Sequence, residues 1–225
     1  MRGDTALVHY RLLNHAESRE SLFVFTVDAP ALVLSVGVRG TTADWSPDKV
    51  YRGRSVVRWA AIDSLLPPGA ASPDLFFAAI GLPAIVTAWT QGYYPPQPLT
   101  AADTNPLVRP SDPLVENSVR VSVVGIAPPA ATGPADLLVR LRGLGDESCL
   151  PLGWISNQGI CQSLRAKLDN ALAAVGRGNK QAAAGELTAY AQELEAQHGP
   201  QPGKHVNDSA YWLLKVNAEY ILTRL

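Results

Sequence analysis

Cys149 and Cys161 are the two residues of this chain with the most specific chemistry. They are its only cysteines, and residues 150–160 lie between them. A bond between the two sulfurs would close a small loop, which in the chain-entropy model stabilises a fold by roughly 3 kcal/mol. Such bonds persist in oxidising compartments. The alternative is a pair of buried thiols in a reducing compartment, because free cysteine is commonly buried.

The remaining metal-ligating residues show no ligand spacing. The histidines are His9, His15, His198 and His205, and no His-Glu-x-x-His motif includes them. A structural zinc site needs four cysteine or histidine ligands in paired spacing, which the surroundings of the cysteines do not provide. We therefore predict neither a metal site nor a cofactor.

Catalytic motifs are equally sparse. The sequence has no Gly-x-Ser-x-Gly elbow and no glycine-rich phosphate loop after a strand. We predict no catalytic residue. The enzymatic alternative is a hydrolase with an unfamiliar site, which would have to gather acids into one pocket, with Asp44, Asp48, Asp63 and Asp74 as the candidates.

Aromatic side chains are the best candidates for binding. Tyr93 and Tyr94 follow a glycine and precede two prolines, which favours an exposed loop. With Trp45 they could stack on sugar rings or pack against a partner protein. Trp59 and Trp89 lie inside predicted strands and are expected in the core.

Composition excludes several functional classes. The chain has 225 residues, is 47% hydrophobic and carries a formal net charge of −1 without a block of like charge. Nothing in this pattern favours binding to nucleic acid or to an anionic membrane surface. No apolar stretch approaches the roughly 18 to 20 residues that span a bilayer. The cysteines favour an extracytoplasmic location, so we expect that a leader preceded Met1 and is not present in this chain.

The first half of the chain has the period-two pattern of strands. Between residues 6 and 127, seven short runs alternate apolar and polar residues, as in the segment from Val8 to Leu12. Turn-forming Gly, Pro, Asn and Ser residues separate the runs. This punctuation predicts an antiparallel β-sandwich, with residues 94–113 as a long loop or edge excursion.

The second half has helical periodicity. The segment from Ala135 to Arg142 predicts one short helix that Gly143 and Gly145 end. Three longer helices follow, with apolar residues at three- and four-residue steps. Asn179 and Asn207 are the expected N-caps of the second and third of these. Short connections make the three long helices antiparallel neighbours, so this half is predicted to be a small bundle.

The predicted fold class is therefore segregated α+β, with an N-terminal antiparallel β-sandwich followed by a C-terminal antiparallel helical bundle. We place the sandwich at residues 1–128, a linker with a short helix at residues 129–148, and a three-helix bundle at residues 149–225.

Two resemblances accompany these patterns. Residues 163–182, with Leu187 to Tyr190 and Asn217 to Ile221, resemble the helical FIMAH-type module. That module lies at the C-terminal end of many bacterial extracytoplasmic proteins. Residues 10–14 and 21–27, and Leu66-Pro-Pro-Gly69 before Phe76-Phe77, look like the immunoglobulin-like sandwiches of uncharacterised secreted bacterial proteins.

The resemblances imply an extracytoplasmic location and a role in binding or assembly. The leading hypothesis is a non-enzymatic binding or structural protein that engages another protein or a cell-surface polymer, or serves as a subunit of a larger assembly. The alternatives are a carbohydrate-binding module that uses exposed aromatics, and the hydrolase described above.

Overall fold

Eight strands precede four helices in the chain. The computed structural model describes residues 5–40, 45–48, 55–61, 65–93, 118–128 and 133–225. The strands are β1 (Thr5–Tyr10), β2 (Leu22–Asp28), β3 (Leu32–Arg39), β4 (Trp45–Asp48), β5 (Val56–Ala61), β6 (Asp74–Ile80), β7 (Leu82–Gly92) and β8 (Ser118–Ala127). The helices are α1 (Pro134–Cys149), α2 (Gln158–Gly176), α3 (Lys180–Gln197) and α4 (Asp208–Leu222). This order confirms the predicted segregated α+β class. Among the described helices, none has the length and apolar character needed to cross a membrane.

The strands form two sheets. One has three strands in the order β1-β6-β3, and the other has five in the order β4-β5-β2-β7-β8. Pairing is antiparallel between β1 and β6, β6 and β3, β4 and β5, β5 and β2, and β2 and β7. Antiparallel strands of this length need only short connections, which fits the frequent turn residues of the sequence.

An aromatic cluster fills the space between the two sheets. Tyr10 and Phe77 come from the three-stranded sheet, whereas Phe25 and Trp59 come from the other. The ring centroids of Tyr10 and Phe25 are 5.3 Å apart, and those of Phe25 and Trp59 are 5.8 Å apart. Trp59 Nε1 also donates to the carbonyl of Gly37 in β3 at 3.0 Å. Because both sheets bury aromatic rings against each other, the arrangement is a β-sandwich.

Strand β4 was absent from the prediction. It has the sequence Trp45-Ser-Pro-Asp48 and pairs with β5 at the edge of the five-stranded sheet. Proline cannot donate to a ladder and is tolerated in edge strands, so Pro47 is compatible with this position. Four residues are too few to show a period-two pattern.

Three asparagines cap the long helices. The side chains of Asn157, Asn179 and Asn207 accept hydrogen bonds from backbone amides in the first turns of α2, α3 and α4. This confirms the predicted caps at Asn179 and Asn207. Each cap satisfies donors that have no partner within the helix, which typically stabilises it by about 1 kcal/mol.

Helix α1 is longer than predicted. It continues through Gly143 and Gly145 to Cys149 instead of ending after Arg142. Buried Leu137, Leu138 and Leu141 pack this helix against α2 and α4, which offsets the roughly 1 kcal/mol that a glycine costs inside a helix. The C-terminal part of the chain therefore contains four helices, and α1 packs against both α2 and α4.

The described residues divide into two compact units. The helical unit comprises residues 81–85 and 126–225, and the sheet unit comprises residues 5–80 and 86–125. The predicted domain limits at residues 128 and 148 stay a prediction. Residues 129–132 and the whole predicted loop at residues 94–113 lie outside the described residues.

Candidate functional site

The predicted binding aromatics differ from one another in exposure. Tyr93 is 42% exposed and makes an edge contact with Phe23, so its ring is accessible. Trp45 is only 6% exposed, so its prediction as an exposed binding residue is wrong. Its side chain packs at the start of β4, and its ring offers little surface to a ligand. Tyr94 lies outside the described residues. As expected for core residues, Trp59 and Trp89 are buried.

The outer face of the three-stranded sheet carries an apolar cluster that the sequence did not predict. The register places Ile80 of β6 between Thr5 of β1 and Leu32 of β3. Leu7 lies opposite Ala78, one step along the same face. Antiparallel register thus brings together side chains from three strands that are far apart in sequence.

These side chains are unusually accessible for apolar residues. Leu7 is 53% exposed, Leu32 is 68% exposed and Ile80 is 39% exposed. A sheet that buries one face normally presents polar residues on the other. We call Leu7, Leu32, Ala78 and Ile80 the sheet patch. Contiguous exposed apolar residues with a polar border are typical of interaction sites.

The other end of the same face is polar. His9 Nδ1 lies 2.8 Å from Asp74 Oδ2, and the Arg39 guanidinium lies 5.7 Å from the centroid of the Phe76 ring. A side chain at Gly37 would collide with Phe76, because its Cβ would lie 2.4 Å from Phe76 Cζ. Glycine at this position therefore lets the aromatic ring lie flat across the strand. The face thus has an apolar end and a charged end, and an apolar area next to charged groups is common at protein interfaces.

A polar network joins α3 and α4 in the helical unit. The Tyr211 hydroxyl donates to Glu195 Oε2 at 2.5 Å, and the Lys215 ammonium donates to both groups. Hydrogen bonding from Lys215 and then from Tyr211 lowers the pKa of Glu195, and hydrogen bonding to Glu195 raises the pKa of Lys215. Burial and the bond to Glu195 raise the pKa of Tyr211. The shifts of Glu195 and Lys215 favour a charged carboxylate and a charged ammonium, and that of Tyr211 keeps the hydroxyl protonated. The network therefore holds α3 and α4 together and is not set up as a general base.

An aromatic group lies beside this network. The ring of His198 stacks on that of Tyr211 with centroids 3.9 Å apart, and His198 Nε2 lies 2.7 Å from Asp208 Oδ1. Trp212 is exposed and meets Tyr211 edge to face. The sequence analysis did not single out Trp212. Trp212 lies two residues after Ala210 and so falls outside the apolar stripe of α4. A large aromatic residue at such a position could have been predicted to be exposed.

Two serines lie close to potential bases. Ser163 donates to Glu193 at 2.9 Å, while Lys167 donates to both Ser163 and Glu193. Because Lys167 donates a hydrogen bond to Ser163 Oγ, it is not placed to accept the proton of the serine hydroxyl. Ser156 Oγ lies 3.2 Å from His205 Nδ1. A Ser-His-Asp arrangement requires an acid that orients this histidine, but Asp208 pairs with His198 instead.

The predicted acids do not form a site in the described residues. Asp48 is exposed at the end of β4, whereas Asp74 pairs with His9 on the other sheet. Asp44 and Asp63 lie outside the described residues. Within the described ranges, no group of three or more His, Cys, Asp or Glu side chains could hold a metal ion.

Cys149 and Cys161 form a disulfide, which confirms the bond that the sequence favoured. The Sγ atoms are 2.04 Å apart, and the bond connects the last residue of α1 to the first turn of α2. The enclosed loop is held further by a bridge between Ile155 and Val206. In the same loop, Ser156 N donates to the carbonyl of His205. The disulfide thus fixes a loop that also pairs with the segment before α4.

Comparison with solved structures gives only distant matches. No protein-family model matches the sequence, and no curated protein matches it. An uncharacterized protein from Nocardia farcinica, whose crystal structure reveals an immunoglobulin-like fold, is 16% identical to this chain. The match covers 56% of this chain and 90% of that chain, with a TM-score of 0.33. A match this distant carries no argument about function, and the fold described above rests on the strand pairing of this chain.

Proposed function

We propose that this chain is a non-enzymatic extracytoplasmic protein that binds a partner protein through the sheet patch. The observation that carries the proposal is the exposure of Leu7, Leu32 and Ile80 side by side on one sheet face. Covering these side chains removes apolar surface from water, which stabilises a complex by roughly 25 cal/mol for each Å² buried. The bordering pair His9 and Asp74 supplies polar groups at the rim.

The location is supported by the disulfide. Bonds such as Cys149–Cys161 persist where thiols are not continuously reduced, as in secreted and periplasmic proteins. The FIMAH-type resemblance of the helical half supports the same location. With it we propose the role of accessory subunit in a larger assembly, with the sandwich within residues 1–128 and the helical module within residues 149–225.

Binding to a partner is tested by site-specific photocrosslinking. A photoreactive phenylalanine analogue replaces Leu32 in the sheet patch or, as a control, exposed Leu150 in the disulfide loop. We expect a discrete adduct with one protein in the producing cells from position 32 and none from position 150. The same adducts from both positions, or none from position 32, would contradict the proposal.

Competition makes the test specific to the patch. Unlabelled protein added to the reaction should suppress the position-32 adduct, whereas the double variant Leu7→Lys/Ile80→Lys should compete about tenfold less well, as for hot-spot residues. Val139→Lys, which changes an exposed valine of α1, should compete like the unchanged chain. Far-UV circular dichroism checks that each variant is folded.

Carbohydrate binding is the second candidate, because Tyr93 exposes its ring. A glycan array probed with the unchanged chain and with Tyr93→Ala separates the two. Glycan binding that Tyr93→Ala abolishes, with no crosslinked protein from position 32, would replace the proposed function with a carbohydrate-binding one.

The proposed lack of enzymatic activity is tested with a fluorophosphonate probe, which reacts with activated serines and should not label Ser156.

A further inference from the structure

Helix α4 carries a stripe of exposed residues opposite its buried face. Asp208, Trp212 and Glu219 are exposed, and they follow one another at steps of four and seven residues. Such steps place residues on one face of a helix. The buried residues of α4 point the other way, toward the other helices. The exposed stripe therefore presents an indole between two carboxylates.

The indole of Trp212 is held by the aromatic group beside it. Its ring meets that of Tyr211 with centroids 4.9 Å apart and an interplanar angle of 73°, and the Tyr211 ring stacks on His198. Tyr211 is 4% exposed and is anchored in the packed part of the helical unit, whereas Trp212 is 55% exposed. A side chain that is already ordered loses less entropy when it binds a ligand. Trp212 thus offers a preorganised aromatic surface.

Asp208 supplies a carboxylate one helical turn before Trp212. Its Oδ1 lies 2.7 Å from His198 Nε2, and its side chain is still 88% exposed. A carboxylate has two accepting oxygens, so Oδ2 can accept further hydrogen bonds. Residues four positions apart on a helix have Cβ atoms about 5 to 6 Å apart. Long side chains lean toward the N-terminus of their helix, which brings the indole toward this carboxylate. One group can therefore contact both side chains.

The charge of the stripe favours a cationic ligand. Lys215 is the single basic residue within α4, and its ammonium donates to Glu195, so these two charges offset each other. Arg224, after the end of the helix, lies over a tyrosine ring. Asp208 and Glu219 remain as negative charges on either side of the indole. A cation placed there is attracted by the carboxylates and by the negative face of the ring.

We propose that this stripe binds an arginine side chain of a partner protein, with the guanidinium stacked on Trp212 and paired with Asp208. A guanidinium is planar, so its face stacks on one ring while its edge donates to a carboxylate. Lysine has no such plane, and a quaternary ammonium is recognised by cages of several aromatic rings. The neighbouring rings of Tyr211 and Tyr220 are buried. Arginine is therefore the cation that fits one exposed ring beside one carboxylate.

This site is distinct from the sheet patch. Leu7, Leu32 and Ile80 belong to the sheet β1-β6-β3, whereas Asp208 and Trp212 belong to α4. Arginine binding at α4 goes beyond the proposed partner binding through the sheet patch, and each can fail without the other.

A titration followed by nuclear magnetic resonance tests arginine binding. The probe is the tripeptide Gly-Arg-Gly with blocked ends, and the readout is the indole N–H signal of Trp212, assigned with the variant Trp212→Phe. We expect a saturable shift of this signal with a Kd on the order of 10 mM. The same tripeptide with lysine should bind about threefold more weakly, because it cannot stack in the same way. The tripeptide with citrulline, the neutral isostere of arginine, should bind about tenfold more weakly.

Variants identify the groups that bind the arginine. Asp208→Asn should weaken binding about fivefold, and Trp212→Ala should abolish it, as read from the broadening of the tripeptide's own signals. The control Asp48→Asn removes an exposed acid of the sheet unit and should bind like the unchanged chain. Far-UV circular dichroism checks that each variant is folded.

Three results would overturn the proposal. The first is the absence of a saturable shift with the arginine tripeptide, and the second is equal binding of the arginine and citrulline tripeptides. The third is glycan-array binding that Trp212→Ala abolishes while the arginine tripeptide causes no shift, which would assign the indole to a sugar site. Equal weakening by Asp48→Asn and Asp208→Asn would likewise contradict a specific site, because it would show attraction by net charge alone.

Discussion

Asn217 of α4 donates a hydrogen bond from Nδ2 to the carbonyl of Pro83 at 2.9 Å, although the two residues are 134 positions apart in the chain. The same amide donates to the carbonyl of Leu213 at 2.7 Å, one turn earlier in the helix. Asn217 is buried, and residues 81–85 belong to the helical unit together with α4. A polar residue on the apolar stripe of a helix thus attaches the start of β7 to that unit.

We expect Asn217→Leu to lower the free energy of unfolding by about 1 to 3 kcal/mol, because it leaves the buried Pro83 carbonyl without its donor. Denaturant unfolding followed by the helical circular dichroism signal measures the change. Asn170→Leu alters an exposed asparagine of α2 and should change stability by no more than about 0.5 kcal/mol. Equal stability of the two variants would show that the Pro83 contact contributes nothing.

Removal of the disulfide should loosen one loop selectively. Cys149 and Cys161 are 12 positions apart. In the chain-entropy model, removing a disulfide that closes a loop of this size lowers the free energy of unfolding by about 3 kcal/mol. In Cys149→Ser/Cys161→Ser we expect faster hydrogen exchange at the amides of Ser156 and Asn207. These amides donate to the carbonyls of His205 and Trp154 between the loop and the segment before α4.

Exchange at buried core positions of the sheet unit, such as Val57, provides the internal control for the disulfide variant. Those amides should exchange at unchanged rates. Uniform acceleration throughout the chain would instead mean that the bond stabilises both units globally, and unchanged exchange at Ser156 would mean that the bridge between Ile155 and Val206 holds the loop without it.

Local patterns in the sequence predicted much of the helical half. The caps at Asn179 and Asn207 were correct because a side chain and an amide three residues later decide them. The predicted three- and four-residue steps were correct because burial follows the 3.6-residue period, as at Ala183, Leu187 and Tyr190 of α3. The end of α1 was wrong because packing against α2 and α4 outweighs the cost of two glycines, and that packing is not a local property.

The candidate site could not be predicted in the same way. Leu7 and Ile80 become neighbours only through the β1–β6 register, and Leu32 joins them through the β6–β3 register. In the sequence, each strand shows only one apolar residue on its outward face. A single exposed apolar residue is common on protein surfaces, so none of the three indicated a patch. Trp45 was misjudged for the same reason, because its burial depends on the strand pairing of β4 with β5.

Loss of the hydroxyl should change the free energy of unfolding with different signs at two tyrosines, half-buried Tyr10 and fully buried Tyr190. Burial raises the pKa of both Tyr10 and Tyr190, so both hydroxyls stay protonated. The Tyr10 hydroxyl donates to the carbonyl of Val124, whereas that of Tyr190 has no partner among the described residues. An unpaired buried hydroxyl destabilises a fold.

We therefore expect Tyr190→Phe to leave the free energy of unfolding unchanged or to raise it by about 1 kcal/mol, whereas Tyr10→Phe should lower it by about 1 kcal/mol. Denaturant unfolding of the two variants measures both effects. A cavity of about 10 Å³ beside the disulfide is lined by Tyr190 and Arg142, enough for about one water. A loss in Tyr190→Phe as large as that in Tyr10→Phe would indicate that a bound water accepts from this hydroxyl.

The contribution of Glu195 should depend on pH. Hydrogen bonds from Lys215 and Tyr211 lower the pKa of this carboxyl below its ordinary value of 4.5, so the ionised form favours the folded state. Its stabilising effect is complete above the ordinary pKa and is lost as the pH falls through the lower, folded-state pKa. Glu195→Gln should therefore be less stable than the unchanged chain at pH 7, and the difference should be smaller at about pH 3, below the ordinary pKa of a glutamate.

Urea midpoints at both pH values measure this difference, with Glu219→Gln as the control for an exposed glutamate of α4.

The contribution of Lys215, the cation of the same network, should depend on pH in the opposite direction. Because hydrogen bonding to Glu195 raises its pKa, its contribution is complete below the ordinary pKa of 10.5 and is lost only as the pH rises through the folded-state value. Lys215→Met should therefore lose stability at pH 7 and keep the same deficit at pH 9, whereas a deficit that disappears by pH 9 would contradict a charged pair of Lys215 and Glu195.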